Sequence, residues 1–185
     1  MPAAAEGRAH TQELQINVGE LFGDELANTD ISGRKPQLDD EVAYGVRYGY
    51  NFTDNWGLQL SVGHSPSSVT DLAGGDIDLA LTTFDVDAVW NIGSHSRWTP
   101  YLVAGAGYAW ANLDNPIAGL VNGQSVLIDD KNGYTLNAGV GVKYRATDRI
   151  QIQFEARYRY FDALIDTNDD SLDTVETTFG VGWRF

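Results

Sequence analysis

His64 stands beside Ser65, with Ser67 and Ser68 close behind. Nucleophilic catalysis needs such a pairing, because an imidazole must reach a hydroxyl to take its proton. The other histidines suit it less: His10 falls in the amino-terminal stretch and His95 in a short connection. Neighbouring residues on a strand point to opposite faces, which sets His64 against Ser65. Asp85 and Asp87 are two apart and share a face when extended, so they could do acid–base work or hold a cation. Asp166-Thr167-Asn168-Asp169-Asp170 resembles the start of a calcium loop, but lacks its glycine and its bidentate glutamate. No cysteine is present to ligate a metal. No nucleophile elbow or phosphate-binding glycine loop appears. The expectation is therefore a protein with no catalytic residues, no cofactor and no metal site.

Whatever these side chains do, strands must position them. Val175, Thr177, Phe179, Val181, Trp183 and Phe185 fall on one parity. Thr174, Glu176, Thr178, Gly180, Gly182 and Arg184 fall on the other. A strand turns these sets to opposite faces, one apolar and aromatic, the other small, polar or charged. The pattern recurs over 41–52, 56–63, 134–145 and 150–160, a strong strand signal. Three stretches alternate less cleanly. Glu20 shares the parity of Leu14, Ile16 and Val18, which predicts a bulge or an early exit from an apolar surround. Leu79 and Leu81 sit on one parity and Phe84, Val86, Ala88, Trp90 and Ile92 on the other, which predicts a bulge near Thr82 and Thr83. Over 100–111 the apolar set is Leu102, Ala104, Ala106, Tyr108 and Trp110, although the opposite set holds Tyr101 and Val103.

Eight strands result, joined by connections of alternating length. Long ones fall near 23–40, 65–76, 112–133 and 162–171; short ones near 53–55, 93–99 and 146–148. No stretch reaches the roughly 18 apolar residues of a membrane helix, so a spanning form could only be a closed barrel. Short turns at one end and long loops at the other are the asymmetry of outer-membrane barrels. Aromatics cluster by depth: Trp56, Trp90, Trp98 and Trp183 toward the short turns, Trp110, Tyr158 and Tyr160 toward the long loops. Two interfacial girdles would look like this. The alternative is a soluble barrel with an apolar inside. The many glycines of the polar face suit a crowded lumen better than a solvated surface. The expected fold is all-β: an eight-stranded antiparallel up-and-down transmembrane β-barrel over 12–185, after a flexible amino-terminal tail over 1–11.

The net charge of −14 argues against nucleic acid and against a polybasic attraction to anionic lipid. An eight-stranded barrel is just wide enough for its own side chains to fill. Arg47, Lys143, Arg157 and Arg159 project inward against Asp85, Asp87, Glu155 and Glu176, and unpaired charge there would be costly. Ion pairing across the lumen is the expected role of all eight, with Arg145 and Arg184 near the rim. The connections are acidic. Asp24, Glu25, Asp30, Asp39 and Asp40 crowd the first; Asp162, Asp166, Asp169, Asp170 and Asp173 crowd the last. Pro116, Ile117, Ala118, Leu120, Val121, Val126, Leu127 and Ile128 make the third unusually apolar, able to fold over the barrel mouth or to meet a partner.

Tyr48-Gly49-Tyr50-Asn51-Phe52-Thr53-Asp54-Asn55-Trp56, the stretch from Pro100 to Tyr108, the stretch from Ala138 to Tyr144, and the closing Gly180-Val181-Gly182-Trp183-Arg184-Phe185 carry a resemblance. From about Gln12 onward the chain is similar to the small outer-membrane barrels of the outer membrane protein A type, including the amino-terminal barrel of the pseudomonad major porin F. The resemblance implies a Gram-negative outer-membrane location, contact with outer-membrane lipid and lipopolysaccharide, and an assembly signal for the membrane's assembly machinery at Phe185. No leader is visible in residues 1–10, so an exported protein would be represented here in its mature form. The peptidoglycan-binding domain that often follows such barrels is not matched. The expected protein is monomeric and non-enzymatic, with a structural or surface-interaction role through its loops. A narrow channel for ions or small solutes is the alternative, and an outer-leaflet lipid-modifying enzyme a more distant one.

Overall fold

The structure is a computed structural model and describes residues 7–23, 41–69, 77–93, 96–113, 117–121, 124–128, 131–161 and 172–185. Ten strands appear: β1 Gln12–Gly23, β2 Glu41–Asn51, β3 Trp56–Val69, β4 Ile77–Asn91, β5 Trp98–Leu113, β6 Ile117–Val121, β7 Gln124–Ile128, β8 Lys131–Arg145, β9 Ile150–Phe161 and β10 Leu172–Arg184. Eight of them close into an antiparallel barrel in the order β1-β10-β9-β8-β5-β4-β3-β2. The first and last strands meet directly, with Leu14 opposite Trp183 and Ile16 opposite Val181. At their ends Gln12 and Phe185 exchange two backbone hydrogen bonds of 2.9 and 3.0 Å. Among the described residues no helix is present.

The third long connection differs from expectation. Within it β6 and β7 pair with each other as a separate hairpin, Ile117 opposite Ile128. The pairing runs over five rungs to Val121 opposite Gln124.

No bulge is present at either position; at Glu20 the other expectation, an early exit, fits an exposed side chain three residues before β1 ends. The ladders through Glu20 run without interruption, opposite Thr177 on β10 and Val42 on β2. Those through Thr82 and Thr83 are equally continuous, opposite His64 and Gly63 on β3 and Trp110 and Ala109 on β5. The parity change in β4 has another cause. Leu81 shares the lumen parity of Asp85 and lines a cavity near the long-loop end, where the wall encloses apolar side chains such as Phe161. Strand β5 faces as expected: Leu102 and Trp110 point out, while Tyr101 and Val103 pack inside with Val89.

The strands also reach further than alternation suggested. β3 continues to Val69 through Pro66. Its pairing with β2 ends at His64, whereas that with β4 runs on to Val69. Pro66 thus lies where the strand has a neighbour on one side only, the place a residue without an N–H is tolerated.

The short turns place both termini and three hairpin connections at one end. Two are built alike. Thr53 Oγ1 accepts from Asn55 N (3.3 Å) and Trp56 N (2.9 Å); Thr147 Oγ1 accepts from Arg149 N (3.3 Å) and Ile150 N (2.9 Å). Threonine hydroxyls of this kind mimic a backbone turn. In the third, Gly93 takes a φ of 66°, which favours glycine.

Candidate functional site: a polar lumen

The inside of the barrel is polar and the outside apolar. Gln15, Asn17, Gln59, Ser61, Asn137, Gln151 and Gln153 are buried, as are arginines and carboxylates. Leu14, Ile16, Val46, Leu60, Val86, Leu136, Val140 and Phe179 are exposed. Water cannot be the solvent of that outer wall, since so large a contiguous apolar surface does not occur on soluble monomers. The inverse arrangement is that of a lipid-facing barrel.

The lumen charges meet in three layers. In the middle, Glu155 of β9 accepts from Arg157 Nε at 3.0 Å and pairs with Arg47 of β2 at 3.1 Å. Its second oxygen takes the Tyr101 hydroxyl at 2.6 Å. Arg157 also reaches Asp87 of β4 at 3.0 Å, so one guanidinium ties two carboxylates on different strands. Toward the long loops, Arg159 binds Asp85 at 2.6 Å and Glu176 at 3.4 Å, with Thr135 and Asn137 donating to Asp85. Toward the short turns, Glu13 pairs with Lys143 at 2.8 Å and Arg8 at 2.9 Å, and accepts from Gln151 (2.8 Å) and Asn51 (3.0 Å). Isolated charges so deeply buried would be costly; paired and hydrogen-bonded they are tolerated.

Space for the network comes from glycines. Gly105 and Gly107 of β5 lie directly opposite Asp87 and Asp85. A Cβ at either would run into the facing carboxylate and into backbone oxygen. Gly141 of β8, opposite Tyr101, would likewise drive a Cβ into the phenol ring.

A family description, outer membrane protein beta-barrel domain, matches residues 1–185. The chain belongs to that family. It is 31% identical over 138 residues to outer membrane protein PagN of Salmonella typhimurium, an alignment covering 64% of this chain and 56% of PagN. The matched stretch thus spans little more than half of that relative. Among solved structures, OprG of Pseudomonas aeruginosa superposes with a TM-score of 0.67 at 15% identity, covering 98% of this chain and 99% of OprG. The amino-terminal barrel of Pseudomonas aeruginosa OprF gives 0.51 at 20% identity, covering 94% and 97%. These two likenesses are of fold. The protein is an outer-membrane β-barrel of Gram-negative type, of the barrel class to which its sequence motifs are similar.

In this barrel all eight lumen residues read from sequence are engaged in ion pairs: Arg47, Asp85, Asp87, Lys143, Glu155, Arg157, Arg159 and Glu176. Two members were missed. Glu13 shares parity with Gln15 and Asn17 and could have been found from alternation. Arg8 belongs to no strand, and no periodicity points to it. The sequence puts it in a flexible tail, yet it is 1% exposed. Its N–H donates to Asp54 at 2.7 Å and its guanidinium to Thr99 at 3.3 Å and Gln151 at 3.4 Å. Burial pushes its pKa below the ordinary value, and the Glu13 carboxylate opposes that.

The tryptophans and tyrosines read as two girdles face outward. Trp56 and Trp90 stack at 6.1 Å and Trp98 tilts onto Tyr144 at 4.6 Å near the short turns, with Trp183 alongside on the exposed face. Trp110 meets Tyr108 at 4.9 Å near the long loops, and Tyr158 is exposed there, with Tyr160 half-buried on the same face. Phe185 is exposed at the barrel seam. His64 lies on the outer face, its ring tilted at 56° against Tyr44 with Nδ1 3.0 Å from Thr82 Oγ1, whereas Ser65 points into the lumen. The two therefore do not form a catalytic pair. His95, Pro116 and the acidic residues of the long connections, including 24–40 and 162–171, lie outside the described residues. Nothing is described of the side chains of Asp173 and the β6–β7 hairpin.

Proposed function

We propose that this outer-membrane barrel is a closed, non-enzymatic scaffold that acts at the cell surface through its long connections. The observation that carries the reading is the layered lumen. Five positive side chains, Arg8, Arg47, Lys143, Arg157 and Arg159, meet five negative ones, Glu13, Asp85, Asp87, Glu155 and Glu176, from wall to wall. A hydrated ion would have to part those pairs to pass. Charge supports the other half of the reading. Most of the acidic excess of the sequence falls in the connections between barrel strands on the long-loop side, where 14 acids stand against 2 bases; elsewhere 12 stand against 10. That end suits divalent cations held between loop carboxylates and lipopolysaccharide phosphates, or a cationic partner. The exposed Phe185 at the seam suits recognition by the outer-membrane assembly machinery, and the protein acts as a monomer.

The test is single-channel conductance of refolded protein in a planar bilayer at neutral pH and high salt. A silent bilayer with folded, inserted protein is the expected result. Discrete, reproducible steps would overturn the closed-lumen reading in favour of a narrow channel, with Arg47, Asp87, Glu155 and Arg157 as the residues to neutralise. Several buried lumen atoms, among them Asp87 Oδ1 and Gln153 Oε1, have no protein partner, and the channel reading would route ions past them.

A further inference from the structure

The segment that precedes β1 turns back under the barrel. His10 adopts a left-handed φ of 61°, and its N–H donates to the Asn51 carbonyl at 2.7 Å. Thr11 closes the turn by donating its hydroxyl to the Arg8 carbonyl at 2.6 Å. Asp54, in the turn between β2 and β3, accepts the N–H groups of Arg8 (2.7 Å) and Ala9 (3.1 Å). Gly7 packs so close to that carboxylate that a Cβ would lie 2.6 Å from it. The anchored turn delivers the Arg8 side chain into the lumen from below. Its partners are Glu13 on β1, Gln151 on β9 and Thr99 on β5. In the closed order of strands, β1 and β5 stand on opposite walls. One guanidinium from outside the ladder therefore crosses the whole mouth.

We propose that Arg8 is a removable bolt that closes the periplasmic mouth of the lumen to water-soluble molecules. This goes beyond the closed-lumen reading, which rests on the layers between the strands. Two features make the bolt separable from the wall. Withdrawing the Arg8 side chain breaks no rung of the barrel, because residues 7–9 are outside every strand and the backbone bonds of His10 and Thr11 to Asn51 stay in place. It also strands no carboxylate, because Glu13 keeps Lys143 at 2.8 Å together with Asn51 and Gln151. Open and closed mouths are then two viable states of one barrel. The open one presents Glu13 and Lys143 to the periplasm as an acid–base pair at the bottom of a cup.

The chain contains no cysteine, so a single introduced thiol reports cleanly. Thr99→Cys places it on the wall opposite β1, where it loses one 3.3 Å contact and leaves the Arg8–Glu13 pair in place. The experiment follows alkylation of this variant by a charged, water-soluble maleimide in lipid nanodiscs, with the urea-unfolded chain as reference. The expected result is slow labelling in T99C alone and at least tenfold faster labelling when Arg8→Ala or Asp54→Ala is added. Asp54→Ala frees the turn without touching the lumen, so it answers the question if Arg8→Ala does not fold. Heat-dependent electrophoretic mobility checks folding in each case. Labelling of T99C at the unfolded rate would overturn the proposal, as would equally slow labelling in both added variants. Conductance separates the two readings: fast labelling in a silent bilayer removes the bolt and spares the closed lumen.

Discussion

Asp87 of β4 stands directly across the ladder from Gly105 of β5, and its carboxylate occupies the space a side chain at 105 would need. The same holds for Asp85 and Gly107 one step further along. Gly105 and Gly107 are thus part of the ion-pair network, since each aspartate leans into space that its neighbour leaves empty.

Gly105→Ala and Gly107→Ala should each destabilise the barrel by about 1–3 kcal/mol, the usual cost of overpacking a filled interior. Gly49→Ala is the control. Its Cβ would meet nothing closer than 3.8 Å, and it should be neutral or stabilising. Urea unfolding from vesicles measures all three. Equal costs at 49 and 105 would mean that glycine acts here through strand propensity and not through space for the carboxylate.

Arg157 holds Glu155 at 3.0 Å and Asp87 at 3.0 Å, all three buried. Arg157→Ala should cost about 3–5 kcal/mol, because it leaves buried carboxylates uncompensated. Arg97→Ala, at an exposed turn residue, should stay within about 0.5 kcal/mol. Unfolding free energies of the two variants under one set of conditions decide this, and similar values would remove the central role given to Arg157.

Val46 is exposed in the middle of β2, opposite Ile16 and Val62. Val46→Arg should destabilise vesicle-inserted protein by about 2–4 kcal/mol, the cost of a base on the lipid face near the midplane. The same change at Trp183, at the short-turn end, should cost less charge penalty, about 0–1 kcal/mol, apart from the lost ring. A depth-independent cost would contradict a lipid-facing outer wall.

His64 and Ser65 face opposite sides of the β3 wall, the imidazole near Thr82 and the hydroxyl in the lumen. Purified protein should release no fatty acid from phospholipid or lipopolysaccharide above background, and His64→Ala should leave that background unchanged. Turnover lost in the histidine variant would restore the enzymatic reading.

Much of the lumen was legible because a strand alternates. Arg47, Asp85, Asp87, Lys143, Glu155, Arg157, Arg159 and Glu176 each lie opposite in parity to an apolar neighbour, and that is enough to turn them inward. Leu81 shows the limit. Its apolar character suggests lipid, but the ladder is continuous and parity carries it into the lumen, because polarity alone does not fix which way a side chain faces.

By itself the chain determined the architecture: period-two alternation, turn chemistry and connection lengths are local properties, and a lipid solvent leaves a closed barrel as the one strand solution. Which charge meets which was decided only by the tertiary structure. Closure and register bring β1 opposite β5 and set Glu13 between Lys143 and Arg8, residues 130 and 5 positions away. Arg8 is the clearest case. Nothing in its neighbours predicts burial; it is buried because a turn anchored on Asp54 points it into a space that exists only once eight strands have closed.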